Sequence, residues 1–170
     1  MRTVPAVEAV AAANRVNARF GSADYRPILL LERHFEHDEV YTLYRASDVC
    51  YVNSLDDGMN LVAKEFAATR DDERGVLVLS EFAGASRQLA DALIVNPYAT
   101  ARSARSLEQA LQMGEEEQAR RMRSMRRVVA ATDSTWWGNQ LLRDASLVRN
   151  ATDAVATFAS TTQNTLREPA

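Results

Sequence analysis

The stretch Leu55–Arg70, LDDGMNLVAKEFAATR, decides the fold because the chain changes from strand to helix within it. The preceding run Val49–Val52 (VCYV) is short, apolar and rich in β-formers, which is the pattern of a buried strand. Gly58 is predicted to permit the turn, because glycine tolerates a positive φ. The helical amides near Met59 to Leu61 should then face outward and attract anions and hydroxyl oxygens. A helix is predicted from apolar residues at helical spacing, namely Leu61, Val62, Phe66 and Ala67.

The polar residues of this stretch allow two interpretations. Asp57 could accept hydrogen bonds from sugar hydroxyls, and Glu65, with Lys64 beside it, could hold a ribose diol. Alternatively, Asp57 is a helix cap, and Glu65 with Lys64 is a solvated helix face. Spacing alone favours the second interpretation, because aspartate is a preferred cap residue.

Length and composition exclude several classes of protein. The 170 residues, of which 46% are hydrophobic and 25% charged, suit one ordinary globular domain. The net charge of −3 gives no general attraction for nucleic acid or anionic membranes. No apolar run is long enough to span a membrane, and the N-terminal segment carries Glu8, Asn14 and Arg15, so it fails as a signal sequence. The sequence therefore predicts a cytoplasmic protein without a membrane or nucleic-acid partner, with Cys50 as an inert core residue.

Strands and helices alternate along the chain and then give way to helices. This order predicts an α/β fold with a parallel sheet, whose ligands bind at the carboxyl ends of the strands, where 57–60 and 83–85 lie. Residues 1–149 form the predicted domain, and 150–170 a tail. Strands are predicted at Ile28–Leu31, Val49–Val52, Val76–Leu79 and Leu93–Val95, and helices at Pro5–Phe20, Asp38–Ala46, Ala101–Met113, Glu115–Ala131 and Thr132–Leu147, with a glycine turn into a short helix at Glu81–Ala85.

Within the C-terminal helices, the predicted core residues are Leu107, Ala110, Leu111, Met122, Met125 and Val129, with Trp136 and Trp137 as anchors. The arginine cluster at residues 120–127 is preceded by Glu116 and Glu117 at helical spacing, which predicts ion pairs rather than a nucleic-acid surface.

Metal and hydrolase chemistry find no support in the sequence. His34 and His37 are two histidines on one loop, and no cluster has metal-ligand spacing, so no metal cofactor is expected. Ser80 and Ser86 lack a base at a recognisable spacing, so no hydrolase triad is predicted.

Three ordered motifs resemble the trehalose-6-phosphate synthase family of retaining glycosyltransferases. They are DDGMNLVAKEF, GVLVLSEFAGASRQL and ALIVNPY, and the similarity runs from about Asn17 to about Asp144. The resemblance implies the C-terminal, Rossmann-like domain of a GT-B enzyme. It also implies transfer of glucose from UDP-glucose to glucose-6-phosphate in trehalose biosynthesis, without a metal.

The resemblance also assigns roles to individual residues. Asp57, the expected catalytic residue, would hold the glucose hydroxyls together with the backbone of Gly58, Met59 and Asn60. Backbone groups of Leu61 and Val62 would face the diphosphate, Glu65 would bind the ribose, and Phe35 and Val40 would contact the uracil ring. Two positions depart from the family pattern, because Val40 is smaller than the usual leucine and Asp56 replaces a residue that is often basic.

The chain is expected to begin after the family's phosphate-binding arginine and lysine, after its acceptor domain and after the first two strands of the C-terminal domain. Those strands would lie between the Ile28 and Val49 strands, so the sheet should have a gap. The favoured interpretation is a fragment that is inactive alone and needs the missing N-terminal half or a partner subunit. The alternatives are a non-catalytic nucleotide-sugar-binding or subunit-pairing module and a related glucosylglycerol-phosphate synthase.

Overall fold

The computed structural model describes the backbone of residues 4–148 and the side chains of residues 7–148. It divides into a first unit that ends at Glu39 and a second that begins at Val40. The predicted tail at 150–170 lies outside the described residues. The helices are α1 (Val4–Phe20), α2 (His37–Ala46), α3 (Leu61–Thr69), α4 (Thr100–Leu111), α5 (Glu115–Ala131) and α6 (residues 134–148), with a 3₁₀ turn at Gly84–Arg87, and the strands are β1 (Val49–Val52), β2 (Val76–Ser80) and β3 (Leu93–Val95).

The first unit contains α1 and an extended segment that is not a strand. The prediction of a strand at Ile28–Leu31 is wrong, because these residues form no ladder within the described chain and their side chains are exposed, Leu29 to 69%. The Asn17 side chain instead pairs with the backbone of Ile28, accepting from its N–H at 2.8 Å and donating to its carbonyl at 2.9 Å. An apolar run becomes a strand only where a neighbouring strand offers hydrogen-bond partners.

The second unit contains a parallel sheet of three strands in the order β1-β2-β3. Val49 is opposite Val76, and Val78 is opposite Leu93. The predicted parallel α/β fold is thus confirmed with three strands instead of four. Since residues 28–31 are not part of the sheet, the expected gap inside the sheet does not occur, and β1 is an edge strand in the described chain.

The core lies on both faces of the central strand, β2, whose five residues are all buried. Leu77 and Leu79 pack on one face with Phe66 of α3 and with Met122 and Met125 of α5. The other face is covered by α4, and its cluster contains Val76, Val78, Val95, Ala110 and Leu107. A strand buried on both faces reads as a continuous apolar run, which is why VLVLS was recognisable.

The prediction of Leu111 as a core residue is wrong, because α4 presents a different face to the sheet. Leu111 is 71% exposed, whereas Ser103 and Ala110 of α4 are buried. On α3, Leu61 and Val62 are 58% and 43% exposed, and the buried face consists of Ala63, Lys64, Phe66 and Ala67.

Three arginines of α5 pair with acidic residues, as predicted for this cluster, although Glu116 forms no ion pair among the described residues. Glu117 accepts from Arg120 and Arg121, each at 2.7 Å, and Arg123 pairs with Glu73 at 2.7 Å. The Arg120 and Arg121 guanidinium groups lower the pKa of Glu117 to about 2. These exposed pairs fix which side of α5 faces solvent and add little stability.

Arg70, at the end of α3, forms hydrogen bonds to the end of α2. Its Nη1 donates to the carbonyl oxygens of Tyr44, Arg45 and Ser47 at 2.6 to 3.0 Å, and its Nε donates to Asp72 at 2.9 Å. The side chain is almost completely buried. The guanidinium therefore satisfies carbonyl groups that the end of α2 leaves without helical partners.

Candidate functional site at the start of α3

Two loops, residues 55–60 after β1 and residues 81–87 after β2, are joined by backbone hydrogen bonds. Asp57 and Ala83 form a parallel β-bridge, and the Gly84 N–H donates to the Asp57 carbonyl at 2.8 Å. The Ala85 N–H donates to the Met59 carbonyl, also at 2.8 Å. The two segments that the sequence places at the carboxyl ends of the strands therefore form one structure.

Gly84 is what allows this close approach. A Cβ at Gly84 would lie 2.1 Å from the Gly58 carbonyl oxygen, a distance that no real contact shows. Gly58 itself has open space where its Cβ would be and does not adopt a positive φ. The prediction that Gly58 turns the chain through positive φ is therefore wrong.

Asn60 makes the turn in place of Gly58. Its φ is 67°, in the left-handed region, and its Oδ1 accepts from the Ala63 N–H at 2.9 Å, so it is the N-cap of α3. Asparagine tolerates this conformation better than most residues and is a preferred cap. Its place just before the apolar run was a signal that the sequence offered.

The Asp57 carboxylate accepts three hydrogen bonds from its own loop. Oδ1 accepts from the N–H groups of Met59 at 3.1 Å and Asn60 at 2.8 Å, and Oδ2 accepts from Asn60 Nδ2 at 2.9 Å. The Asn60 side chain, followed by the Met59 amide, holds the pKa of Asp57 below its ordinary value. Asp57 is thus a fixed, ionised acceptor, although the helix cap is Asn60.

Glu65 lies one turn into α3, half-buried beside Tyr44. The Tyr44 hydroxyl donates to Glu65 Oε2 at 3.4 Å. Desolvation, followed by the charge of Glu65, raises the pKa of Tyr44 to about 12, so the phenol remains a donor at neutral pH. Tyr44 is itself held edge-on against Phe66, with ring centroids 6.0 Å apart.

Lys64 does not belong to a solvated face. The side chain, which is the only lysine in the sequence, is 8% exposed, and burial lowers its pKa. Its Nζ lies 5.8 Å from the centroid of the Trp137 ring on α6, and no carboxylate in the described chain pairs with it. Trp137 and its neighbour Trp136 are only partly buried, in contact edge to face at 5.7 Å.

The two predicted uracil contacts lie in different units. Phe35, in the first unit, is half-buried under the Arg33 guanidinium, 3.8 Å from the ring centroid, and Arg33 pairs with Glu39 at 2.8 Å. Val40 is half-buried on α2 in the second unit. Their roles stay predictions.

The arrangement offers two kinds of chemistry. The first-turn amides of Leu61 and Val62 have no acceptor within α3, since the Asn60 side chain caps only Ala63. These donors and the helix dipole favour a negatively charged group, while the Asp57 carboxylate favours hydroxyl groups. Among residues 7–148, no group of three histidine, cysteine or acidic side chains is placed to hold a metal ion.

No helix within the described part of the chain is long and apolar enough to cross a membrane.

The three-stranded parallel sheet with its helices matches the C-terminal domain of the GT-B fold as found in OtsA. The family model of glycosyltransferase family 20 matches residues 5–146. The chain therefore belongs to glycosyltransferase family 20, as the sequence motifs indicated.

Similar proteins cover two named activities. A glucosylglycerol-phosphate synthase from Synechocystis sp. is 41% identical over 78% of this chain. An alpha,alpha-trehalose-phosphate synthase [UDP-forming] from Aspergillus fumigatus is 41% identical over 76% of the chain. The chain spans only 27% of the length of each of these relatives.

Solved structures agree with this assignment. The trehalose-6-phosphate synthase OtsA superposes with a TM-score of 0.78 at 39% identity, over 82% of this chain and 31% of that chain. An alpha,alpha-trehalose-phosphate synthase from Burkholderia xenovorans, solved in complex with glucose-6-phosphate, gives 0.79 at 39% identity, with the same coverage of 82% and 31%.

Proposed function

We propose that this chain is the donor-binding part of a retaining glycosyltransferase that transfers glucose from UDP-glucose to glucose-6-phosphate. The observation that carries the proposal is the loop at the start of α3, where a fixed carboxylate lies beside helix amides without helical acceptors. A nucleotide sugar has both matching groups, because its hexose carries hydroxyls and its diphosphate carries negative charge. By this proposal the chain alone has little or no transferase activity.

Each part of the loop has a role in the proposed complex. Asp57 accepts hydrogen bonds from the glucose hydroxyls, and the backbone of Gly58, Met59 and Asn60 contacts the same hydroxyls. The Leu61 and Val62 amides face the diphosphate, Glu65 binds the ribose diol, and Phe35 with Val40 contacts the uracil. The contact with Tyr44 supports this role of Glu65, because the hydroxyl lies 3.4 Å from Oε2 and favours one orientation of the carboxylate.

The proposed transfer develops positive charge on the sugar and negative charge on the leaving diphosphate. Amides that already point at the leaving group stabilise that charge without reorganisation, so the reaction needs no metal ion. Asp57 keeps the hexose oriented while the acceptor attacks from the face that the diphosphate leaves.

The relatives also support a second candidate acceptor, glycerol 3-phosphate. The Synechocystis glucosylglycerol-phosphate synthase is as similar to this chain as the Aspergillus trehalose-phosphate synthase, at 41% identity. Co-expression with the upstream half of either relative, followed by assays with glucose-6-phosphate and glycerol 3-phosphate, would separate the two activities.

A partner that pairs with β1 would complete the sheet. β1 bonds only to β2 in the described chain, and Tyr51 on it is exposed. An unpaired strand edge favours pairing with another segment. This supports a role for a further segment or a partner subunit that pairs with β1, and also the alternative of a non-catalytic subunit-pairing module that binds nucleotide sugar.

The test is a thermal melt of the purified chain with and without UDP-glucose. A ligand that binds only the folded state adds about 2.7 kcal/mol at a hundredfold excess over its dissociation constant, so the midpoint should rise. Asp57→Asn should reduce the shift of the midpoint. The neighbouring Asp56→Asn, which also removes one negative charge but from an exposed side chain, should preserve the shift. A cooperative melt that UDP-glucose leaves unmoved would contradict the proposal.

A further inference from the structure

A cavity of about 450 Å³ lies beside the edge strand β3, apart from the loop at residues 57–60. On one side it is bounded by the end of β2 and by β3, and on the other by one face of α4. It is lined by Glu81, Ile94, Val95, Asn96, Arg102, Arg105, Ser106 and Gln109. This volume lies within the range of sites for small organic ligands.

Two arginines of this cavity have no carboxylate partner. Arg45, Arg120 and Arg123 each form an ion pair within 4 Å of an acidic oxygen. Neither Arg102 nor Arg105 forms one in the described chain, although Glu81 lines the same cavity. Two arginines and one glutamate leave the lining with one net positive charge.

The position of Arg102 is unfavourable for α4 itself. It lies in the first turn of the helix, which contains no acidic residue, and the N-cap Ala99 makes no side-chain hydrogen bond. A cation near a helix N-terminus is destabilising, whereas an anion there is stabilising. An anion between Arg102 and Arg105 would remove this conflict.

The remaining polar groups suit a ligand with hydroxyls. The Asn96 Oδ1 accepts from the Tyr98 N–H at 2.9 Å, which fixes the amide and leaves its Nδ2 as a donor with no acceptor among the described residues. Ser106 and Gln109 extend this polar lining along α4, and Glu81 supplies acceptors. Ile94 and Val95 form the apolar wall, and the Val95 carbonyl is already bonded to the Glu81 N–H at 2.9 Å.

We propose that this cavity is a second ligand site, which binds a small phosphorylated polyhydroxy compound. Arg102 and Arg105 hold the phosphate through charge-assisted hydrogen bonds, and Asn96, Gln109 and Glu81 contact the hydroxyls. The site does not depend on the donor-binding role of the α3 loop, so either proposal can fail without the other.

The test is an NMR titration of the full chain with ribose 5-phosphate, with ribose and inorganic phosphate as separate arms. We expect saturable shifts of the Ile94, Val95 and Gln109 amides with ribose 5-phosphate and none with ribose. Arg102→Gln and Arg105→Gln should each weaken binding about tenfold, since each removes a hydrogen bond to a charged group. Arg127→Gln, the same change on the exposed face of α5, should leave binding unchanged.

The three arms separate the possible outcomes. Equal affinity for inorganic phosphate and ribose 5-phosphate would overturn the sugar part of the proposal and leave a simple anion site. Absence of shifts at β3 and α4, or equal losses in the Arg127→Gln control, would overturn the site altogether. Amide spectra of each variant show whether its fold is retained. If Arg105→Gln does not fold, the affinity of the folded Arg102→Gln variant decides the test.

Discussion

One neighbouring side chain is the largest cause of the lowered pKa of Asp57. That side chain is Asn60, whose Nδ2 donates to Asp57 Oδ2. Because the native pKa is below the unfolded value, Asp57 stabilises the fold above about pH 4 and loses that contribution as the pH falls through the native pKa. A ligand in the proposed donor site would therefore meet an ionised acceptor at neutral pH.

Asn60→Gly should raise the pKa of Asp57 toward its ordinary value. Glycine adopts the φ of 67° without strain, so the backbone donors stay while the side-chain donor is lost. A pH titration of the Asp57 carboxyl carbon by NMR measures the change, and Asn53→Gly, at an exposed position before the loop, is the control. An unchanged Asp57 pKa in Asn60→Gly would show that the backbone amides alone set it.

Lys64 is a buried cation with no anionic partner among residues 7–148, so its replacement should stabilise the protein. Lys64→Met retains the packing and removes the cost of desolvating the charge, and we expect the free energy of unfolding to rise by about 1 kcal/mol. The native pKa of Lys64 is lowered, so the unfolded chain binds more protons as the pH approaches the ordinary lysine value. The free energy of unfolding of the wild type should therefore rise toward that of Lys64→Met in that alkaline range.

Urea denaturation of both proteins at neutral and alkaline pH measures this difference. A Lys64→Met protein that is less stable at neutral pH would mean that the contact with the Trp137 ring outweighs desolvation.

At the scale of the elements, the contact between the loops after β1 and β2 depends on Gly84. Gly84→Ala should open the Asp57–Ala83 bridge, because the new methyl group cannot share space with the Gly58 carbonyl. We expect a loss of at least about 2 kcal/mol in unfolding free energy and loss of the UDP-glucose shift. Gly58→Ala is the matched control, since its methyl group meets open space and its φ is not positive.

Chemical denaturation measures both variants, and the UDP-glucose melt measures Gly84→Ala. If Gly58→Ala proved as damaging as Gly84→Ala, the turn would depend on Gly58 after all.

At the scale of the whole molecule, stability should be greatest at β2. This strand is paired on both sides and buried on both faces, whereas β1 and β3 each have one partner. Hydrogen exchange should be slowest for the amides of Leu77 to Leu79, faster at the edge strands, and fast for Leu29 to Leu31, which form no ladder. Protection of Leu29 to Leu31 equal to that of β1 would show that they pair with a strand.

Apart from the strand predicted at Ile28–Leu31, the sequence by itself determined the order and type of the elements, the parallel α/β fold, and the family. Runs such as VLVLS and the spacing of Met122 and Met125 carry this information locally, because strand and helix periods are visible in neighbouring residues. The long motifs likewise predicted a site at the start of α3, with Asp57 in the loop before the helix and Glu65 on the helix itself.

Only the tertiary structure decided which residues make the close contacts. Asn60 instead of Gly58 takes the left-handed conformation, Gly84 makes the tight approach, and Lys64 is buried on a helix face that local pattern assigned to solvent. Ile28–Leu31 had the composition of a strand but no neighbouring strand among the described residues. These outcomes depend on segments that are distant in sequence and meet only after packing, so spacing along the chain does not encode them.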